Sequence, residues 1–159
     1  MLRIHPTALA NLRAHAEEAY PHESCGVLLG TPATQGSSFP GWLVRAAVRA
    51  ANTRTDSPHN RYEIAPAELV RILRSAGDYG FEIAGFYHSH PDHPAEPSAT
   101  DLAEAHWLQC SYVITAVAHG RAARTASFLL SGNSEDDKRF EAEPIESEAI
   151  EPEPDEPGV

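Results

Sequence analysis

The sequence has few of the features that mark a membrane, secreted or disulfide-rich protein. It has no run of eighteen or more apolar residues, so it predicts no membrane-spanning helix and no membrane partner. Two cysteines, Cys25 and Cys110, are too few for a disulfide framework and fit a reducing compartment. The first twenty residues lack the continuous apolar stretch of a secretory signal. We therefore expect a soluble, cytoplasmic protein.

Basic residues are also scarce, and the excess of acid is unevenly distributed. The formal net charge of the 159 residues is −11. Residues 134–159 hold eleven Asp and Glu against Lys138 and Arg139, a net charge of −9, which leaves −2 for residues 1–133. The near-neutral body has no basic patch of the kind that binds phosphate backbones, so we expect no nucleic-acid partner.

The length allows one domain with a substantial hydrophobic core. We place this domain at residues 1–133, followed by an acidic Glu/Pro-rich tail at residues 134–159. Residues 139–145 can add one edge strand to the sheet. The rest of the tail is expected to be disordered, because its last dozen residues bury too little apolar surface to order themselves.

Hydrophobic periodicity predicts three helices, at residues 7–19, from Pro66 to about Gly77, and over about ten residues from Ser98. Apolar runs bounded by turn residues predict six strands, at 25–30, 41–51, 62–64, 81–90, 111–118 and 122–130. By two-residue alternation, one face of strand 81–90 carries Ala84, Phe86, His88 and His90. This order of elements predicts an α/β (α+β) fold with a mixed, mostly antiparallel β-sheet sandwiched by helices.

Residues 87–101, "YHSHPDHPAEPSATD", concentrate histidine, aspartate and proline. His88 and His90 lie two apart on a predicted strand, three prolines stiffen the following turn, and Ser98 starts a helix with Asp101 in its first turn. If the turn folds back, two imidazole nitrogens and one carboxylate oxygen leave a fourth tetrahedral position free, which is the ligand count of a catalytic zinc site. Spacing alone leaves a solvated, histidine-rich loop as an equal alternative, because His-x-His is common by chance.

The run "HSHPDHPAEPSATD" at 88–101 resembles the signature of the JAMM, or MPN+ (Mov34), zinc metalloproteases: His-x-His-Pro, an interval with Pro-Ser, and a closing Asp. That family also has a glutamate upstream, at the entrance to an early strand, where "PHESCGVLLG" supplies Glu23. Pro-x-Glu-x-Cys-Gly is typical of the compact bacterial branch, which resembles sulfur-carrier-protein peptidases. The resemblance covers roughly residues 1–131 and implies the cytidine-deaminase-like JAB/MPN fold.

The resemblance implies one Zn²⁺ per chain, bound by His88, His90 and Asp101, with a water in the fourth position. Glu23 would act as general base, taking the proton of the attacking water and returning it to the leaving amine. Ser98 would donate a hydrogen bond to the oxyanion. Ordinary alternatives exist, because Glu23 can be an exposed loop acid and Ser98 an N-cap. Whether Cys25 packs as a buried hydrophobe or touches the metal is left open.

The activity that the resemblance implies is hydrolysis of the peptide or isopeptide bond after the C-terminal Gly-Gly of a ubiquitin-like (β-grasp) sulfur-carrier protein. A non-catalytic MPN-type scaffold is the main alternative, and the presence of all five motif residues argues against it. A zinc deaminase would have His-x-Glu with Pro-Cys-x-x-Cys, and neither cysteine is so placed. A thermolysin-like enzyme would have His-Glu-x-x-His, which is absent. The sequence leaves open whether the chain forms a homodimer.

Overall fold

The computed structural model of the protein describes residues 1–33 and 41–147. These ranges contain, in chain order, β1 (Leu2–Ile4), α1 (Pro6–Ala19), β2 (Cys25–Pro32), β3 (Trp42–Ala50), α2 (Pro66–Asp78), β4 (Glu82–Pro91), α3 (Ala99–Glu104), β5 (Ser111–Ala118), β6 (Arg121–Ser131), β7 (Arg139–Glu143) and β8 (Ile145–Glu146). The part of the tail that we expect to be disordered, beyond residue 147, lies outside the described residues. Among the helices of these ranges, none has the length and apolarity to cross a membrane.

The eight strands form one mixed sheet in the order β7-β6-β5-β4-β2-β3-β1-β8. The pairs β1–β3, β1–β8 and β4–β5 are parallel, and the other four pairs are antiparallel. The prediction of a mixed, mostly antiparallel sheet is therefore confirmed. Strand β4 lies near the middle, so His88 has a neighbouring strand on either side, whereas His90 pairs with β5 alone.

Helices cover both faces of the sheet, as the hydrophobic periodicity predicts. On one face, Ala8 and Leu12 of α1 pack into a core with Leu28 of β2. On the other face, Ile72 and Ala76 of α2 pack into a second core with the alternate residues of β2 and β4. Burial of these apolar side chains on both sides, at roughly 25 cal/mol per Å², holds the layers together.

The alternation of side chains along β4 is interrupted at Ala84. Ala84 packs in the α1-side core, whereas Phe86 packs in the α2-side core. The register between β2 and β4 shifts at this point, which is the mark of a β-bulge. The prediction that Ala84 shares a face with Phe86 and the histidines is therefore wrong. The bulge brings the backbone close to β5, and a Cβ on Gly85 would lie 1.7 Å from the Ser111 carbonyl oxygen.

Two other predictions of secondary structure are wrong. Residues 62–64 form a loop instead of a strand, because the Glu63 N–H donates to the side chain of Asn52 rather than to a neighbouring strand. Helix α3 has six residues instead of about ten. It ends at Glu104, where Ala105 turns to an extended conformation and the buried ammonium of Lys138 donates to the carbonyls of Ala103 and Ala105.

Candidate metal centre

Three elements bring the predicted site residues together. The end of β4 carries His88 and His90, and the first turn of α3 carries Asp101. Strand β2 runs antiparallel to β4, with Cys25 opposite His88. Because the entrance of β2 therefore abuts the exit of β4, Glu23 lies beside the two imidazoles.

The three predicted ligands converge on one point. His88 Nε2 and His90 Nε2 are 3.1 Å apart, His90 Nε2 is 3.1 Å from Asp101 Oδ2, and His88 Nε2 is 3.4 Å from Asp101 Oδ1. A tetrahedral ion with ligand bonds of roughly 2.0–2.1 Å separates its ligand atoms by about 3.3–3.4 Å. Two imidazole nitrogens and a carboxylate at these spacings are a donor set that fits one divalent cation.

Glu23 closes the remaining side of this cluster. One ligand atom from each of Glu23, His88 and His90 lies within 4.8 Å of the others, so these three residues can also hold a metal ion. Within residues 1–33 and 41–147, the Asp101 carboxylate oxygens lie 3.1–3.4 Å from both imidazole Nε2 atoms, whereas Glu23 has no contact this short with either ring. A cation placed between the rings therefore has Asp101 as its nearer carboxylate.

The carboxyl group of Glu23 is unusual because it is buried without a partner. Glu23 is 3% exposed, and its Oε1 forms no hydrogen bond with any residue that the structure describes. Burial raises the pKa of Glu23 to about 8, with His90 opposing the rise and Asp101 adding to it. A group with a pKa near neutrality can both accept and return a proton, which is the property of a general acid–base.

The electrostatics of the cluster favour the metal-binding protonation states of His88 and Asp101. Burial lowers the pKa of His88, which keeps its ring neutral. Although burial opposes it, contacts with His88 and His90 hold the pKa of Asp101 well below its usual range. Neutral imidazole and ionised carboxylate are the forms that bind metal.

The two rings are oriented by contacts behind the cluster. Nδ1 of His90 lies 2.8 Å from the Pro94 carbonyl oxygen, so Nδ1–H donates there and Nε2 faces the centre. These contacts with Asp101 and Pro94 raise the pKa of His90, although burial opposes the rise. The ring of His88 stacks on Tyr62, with centroids 4.6 Å apart and planes inclined by 24°.

Ser98 is the N-cap of α3, which is the ordinary alternative considered for it. Its Oγ accepts a hydrogen bond from the Asp101 N–H at 3.0 Å, and Asp101 Oδ2 accepts one from the Ser98 N–H at 2.8 Å. This capping box leaves the hydroxyl hydrogen of Ser98 free to donate. Ser98 also lines a cleft together with Glu23 and His90.

Two residues that the sequence analysis did not single out support the centre. Tyr62 stacks on His88, as described above. Asn52 donates through Nδ2 to the Glu23 carbonyl at 3.3 Å, and its Oδ1 accepts from the Arg54 N–H at 3.0 Å. Neither residue belongs to a periodic pattern or a motif. Only the loop conformation brings them to the site.

Two clefts, each of about 430 Å³, adjoin the centre. The first, called the apolar cleft after its wall of Tyr62, Ile64, Leu69, Phe86, Trp107 and Tyr112, is also lined by the polar and charged residues Arg54, Glu63, Glu104 and His106. The second is polar and includes Glu23, His59, Arg61, His90, His93 and Ser98. A substrate that extends to both sides of the cluster would therefore meet two chemically different surfaces.

Sheet order and site together define an α+β domain with a histidine–carboxylate cluster, able to bind a metal, at the end of a central strand. The family of prokaryotic homologues of the JAB domain matches residues 5–130. The chain belongs to this family, and the JAMM/MPN+ resemblance in its sequence is confirmed.

Known relatives agree with this assignment. The chain is 35% identical over 117 residues to the desampylase of Haloferax volcanii, covering 71% of this chain and 78% of the relative. It is 31% identical over 106 residues to the "Probable TtuB-protein conjugate cleaving protease" of Thermus thermophilus, covering 67% of this chain and 64% of the relative. The chain superposes on the solution structure of protein DSY2949 from Desulfitobacterium hafniense with a TM-score of 0.72 and 25% sequence identity. The match covers 94% of this chain and 95% of that protein.

Proposed function

We propose that the protein is a zinc metallopeptidase that hydrolyses the peptide or isopeptide bond after the C-terminal Gly-Gly of a ubiquitin-like (β-grasp) sulfur-carrier protein. The observation that carries the proposal is the convergence of His88, His90 and Asp101 at 3.1–3.4 Å beside the buried carboxyl group of Glu23. The names of the two curated relatives, a desampylase and a conjugate cleaving protease, support a substrate of this class. The cytoplasmic location, the domain boundary at residue 133 and the homodimer stay predictions.

In this proposal, His88, His90 and Asp101 hold zinc. When bound, zinc supplies Lewis acidity, which polarises a carbonyl group and lets water lose its proton near neutral pH. Glu23 accepts that proton at its unpartnered Oε1 and returns it to the leaving nitrogen. The Ser98 hydroxyl, whose oxygen accepts from Asp101, donates its hydrogen to the oxyanion. Loss of one such donor typically costs about 10²–10³ in turnover.

The apolar cleft suits the acyl side of the substrate. Phe86, Trp107 and Tyr112 offer an aromatic surface, and Tyr62 joins this surface to His88. Apolar side chains that precede Gly-Gly in a carrier tail would pack there, because aromatic rings bury large apolar areas. The glycines would then pass the cluster itself, and the amine side would enter the polar cleft.

The experiment is to incubate the zinc-loaded chain with a β-grasp carrier extended beyond Gly-Gly and to follow its mass. We expect loss of the extension alone, and expect a chelator, Glu23→Gln or His90→Ala to abolish it. His119→Ala is the matched control, because the His119 side chain is 96% exposed and lines neither cleft. An unchanged carrier mass with a zinc-loaded sample would contradict the proposal. Retained carrier binding in that case would favour the non-catalytic scaffold.

A further inference from the structure

The polar cleft beside the metal centre contains a cation that the proposed reaction does not use. The cleft is lined by Glu23, His90 and Ser98 of the candidate centre and also by Arg61. Arg61 and Tyr62 are consecutive residues, yet Arg61 lines the polar cleft and Tyr62 the apolar one. The loop that carries them therefore contributes to both sides of the site.

The guanidinium group of Arg61 has no anionic partner in the part of the chain that the structure describes. Some arginines there are paired, for example Arg54 with Asp56 at 2.8 Å and Arg71 with Glu68 at 3.4 Å, and others, such as Arg74, are not; Arg61 differs from Arg74 because it lines the cleft. Glu96 lines the same cleft but forms no ion pair with Arg61. Arg61 is half-buried and always charged, so it presents donors to the cleft that only solvent or a ligand can use.

The backbone of Arg61 is held in place by the same side chain that holds Glu23. Asn52 Nδ2 donates to the Arg61 carbonyl at 3.0 Å and to the Glu23 carbonyl at 3.3 Å. The Arg61 N–H donates to the Ser57 carbonyl at 3.0 Å. Because the carbonyls of both residues bind one amide group, the backbone of Arg61 is fixed relative to that of the proposed general base.

The direction of proton transfer decides which part of a substrate Arg61 meets. Glu23 must reach the leaving nitrogen in order to return its proton, so the amine side of the scissile bond lies in the cleft that Glu23 lines. We infer that Arg61 binds a carboxylate on this amine side. This inference rests on the proposed function. The carboxylate is either the α-carboxylate of a residue directly after Gly-Gly or an acidic side chain beside the acceptor lysine.

A guanidinium group suits this task because its planar donors match both oxygens of a carboxylate. The test compares two carriers that carry the same single residue after Gly-Gly, one ending in a free carboxylate and the other in an amide. We expect the native protein to cleave the acid with about tenfold higher kcat/KM, mostly through KM, which corresponds to one charge-assisted hydrogen bond in a solvated cleft. Arg61→Gln should remove the preference, and Arg61→Lys should keep part of it.

Arg74→Gln is the matched control, because Arg74 is an exposed arginine on α2 that lines neither cleft. A second arm uses isopeptide-linked peptides with Asp or Asn next to the lysine. If the native protein prefers the acidic form only among the linear carriers, Arg61 binds the α-carboxylate of the residue after Gly-Gly. If it prefers the acidic form only among the isopeptide-linked peptides, Arg61 binds the acidic side chain beside the lysine. If the native protein cleaves the acidic and neutral forms equally in both arms, or if Arg61→Gln keeps the preference, the inference is wrong while the proposed function stands.

A binding measurement distinguishes failure of this inference from failure of the proposed function. Zinc-loaded Glu23→Gln, which does not turn over in the proposed mechanism, is titrated with the acid and amide forms by calorimetry, with and without Arg61→Gln. If no substrate is cleaved but the acid binds about tenfold more tightly in an Arg61-dependent way, the inference stands and the proposed function fails. Equal affinity for both forms in both arms overturns the inference whether or not cleavage occurs.

Discussion

Replacing Glu23 by glutamine should stabilise the metal-free protein at neutral pH, although it removes the proposed general base. The carboxyl group is buried, its Oε1 has no partner, and its pKa is raised from 4.5 to about 8. A raised pKa in the folded state means that the folded protein binds this proton more tightly than the unfolded chain does. The corresponding stability is complete below about pH 4.5 and is lost as pH rises through 8.

The size of the effect follows from the two pKa values. A pH of 7 lies about 2.5 units above the ordinary pKa of 4.5, which Glu23 has in the unfolded chain. At roughly 1.36 kcal/mol per unit, ionisation of Glu23 in the unfolded chain lowers the free energy of unfolding by about 3 kcal/mol. Glutamine has the same shape and no charge to bury. Glu23→Gln should therefore raise the free energy of unfolding by about 2–3 kcal/mol at pH 7 and by under about 0.5 kcal/mol at pH 4. The gain at pH 7 corresponds to a rise in Tm of roughly 5–10 °C.

Urea unfolding of both proteins in chelator, at pH 4 and at pH 7, measures this difference. His90 and Glu23 interact electrostatically, so the measured difference includes the loss of that interaction. Glu96→Gln is the control, because Glu96 is an exposed glutamate that lines the same cleft. Added zinc should shrink or reverse the gain, because a divalent cation stabilises the ionised carboxylate. Equal stability of the two proteins at pH 7, or an equal gain at both pH values, would refute this reasoning.

Three further substitutions test the surroundings of the centre. Tyr62→Ala should weaken zinc binding about threefold to tenfold in a competition with a chromophoric chelator, because the ring stacked on His88 is lost, while Tyr62→Phe should stay within about twofold. Ser98→Ala should cost about 1 kcal/mol of stability and lower turnover by about 10²–10³. Ser98→Asp should keep the helix cap and still lose turnover. An active Ser98→Asp variant would exclude the oxyanion role of Ser98. Lys138→Met should cost about 1–3 kcal/mol in urea unfolding by leaving two carbonyls at the end of α3 unpaired. Glu135→Gln, which removes the exposed carboxylate that contacts Lys138 and His106 but leaves the Lys138 bonds to those carbonyls, should cost under about 1 kcal/mol.

The sequence predicts the parts of this molecule that depend on local patterns. Helix α2 repeats apolar residues at helical spacing and ends near glycine, so its observed range, Pro66–Asp78, follows closely from the pattern. The metal motif is equally local along β4, because two residues separate the histidines. Glu23 is distant in sequence and could be assigned only through the family resemblance.

The parts that the sequence does not predict depend on contacts between distant segments. Strand β1 has three residues and β8 two, too few for any alternation to be read, and they pair with each other across the whole length of the chain. The bulge at Ala84 appears only once β2 pairs with β4. Asn52 and Arg61 lie in a polar loop whose conformation is set by their mutual hydrogen bond and by Glu23.

The position of the cluster follows from the order of the strands. Antiparallel pairing of β2 with β4 brings the start of one strand to the end of the other, so a carboxylate before β2 must lie near histidines at the end of β4. Asp101 is fixed by a different device. Its Oδ2 accepts the Ser98 N–H and also contacts His90, so the hydrogen bond that begins α3 also aims the carboxylate at the cluster. A substitution that shifts the start of α3 by one residue should therefore displace a metal ligand as well as a helix cap.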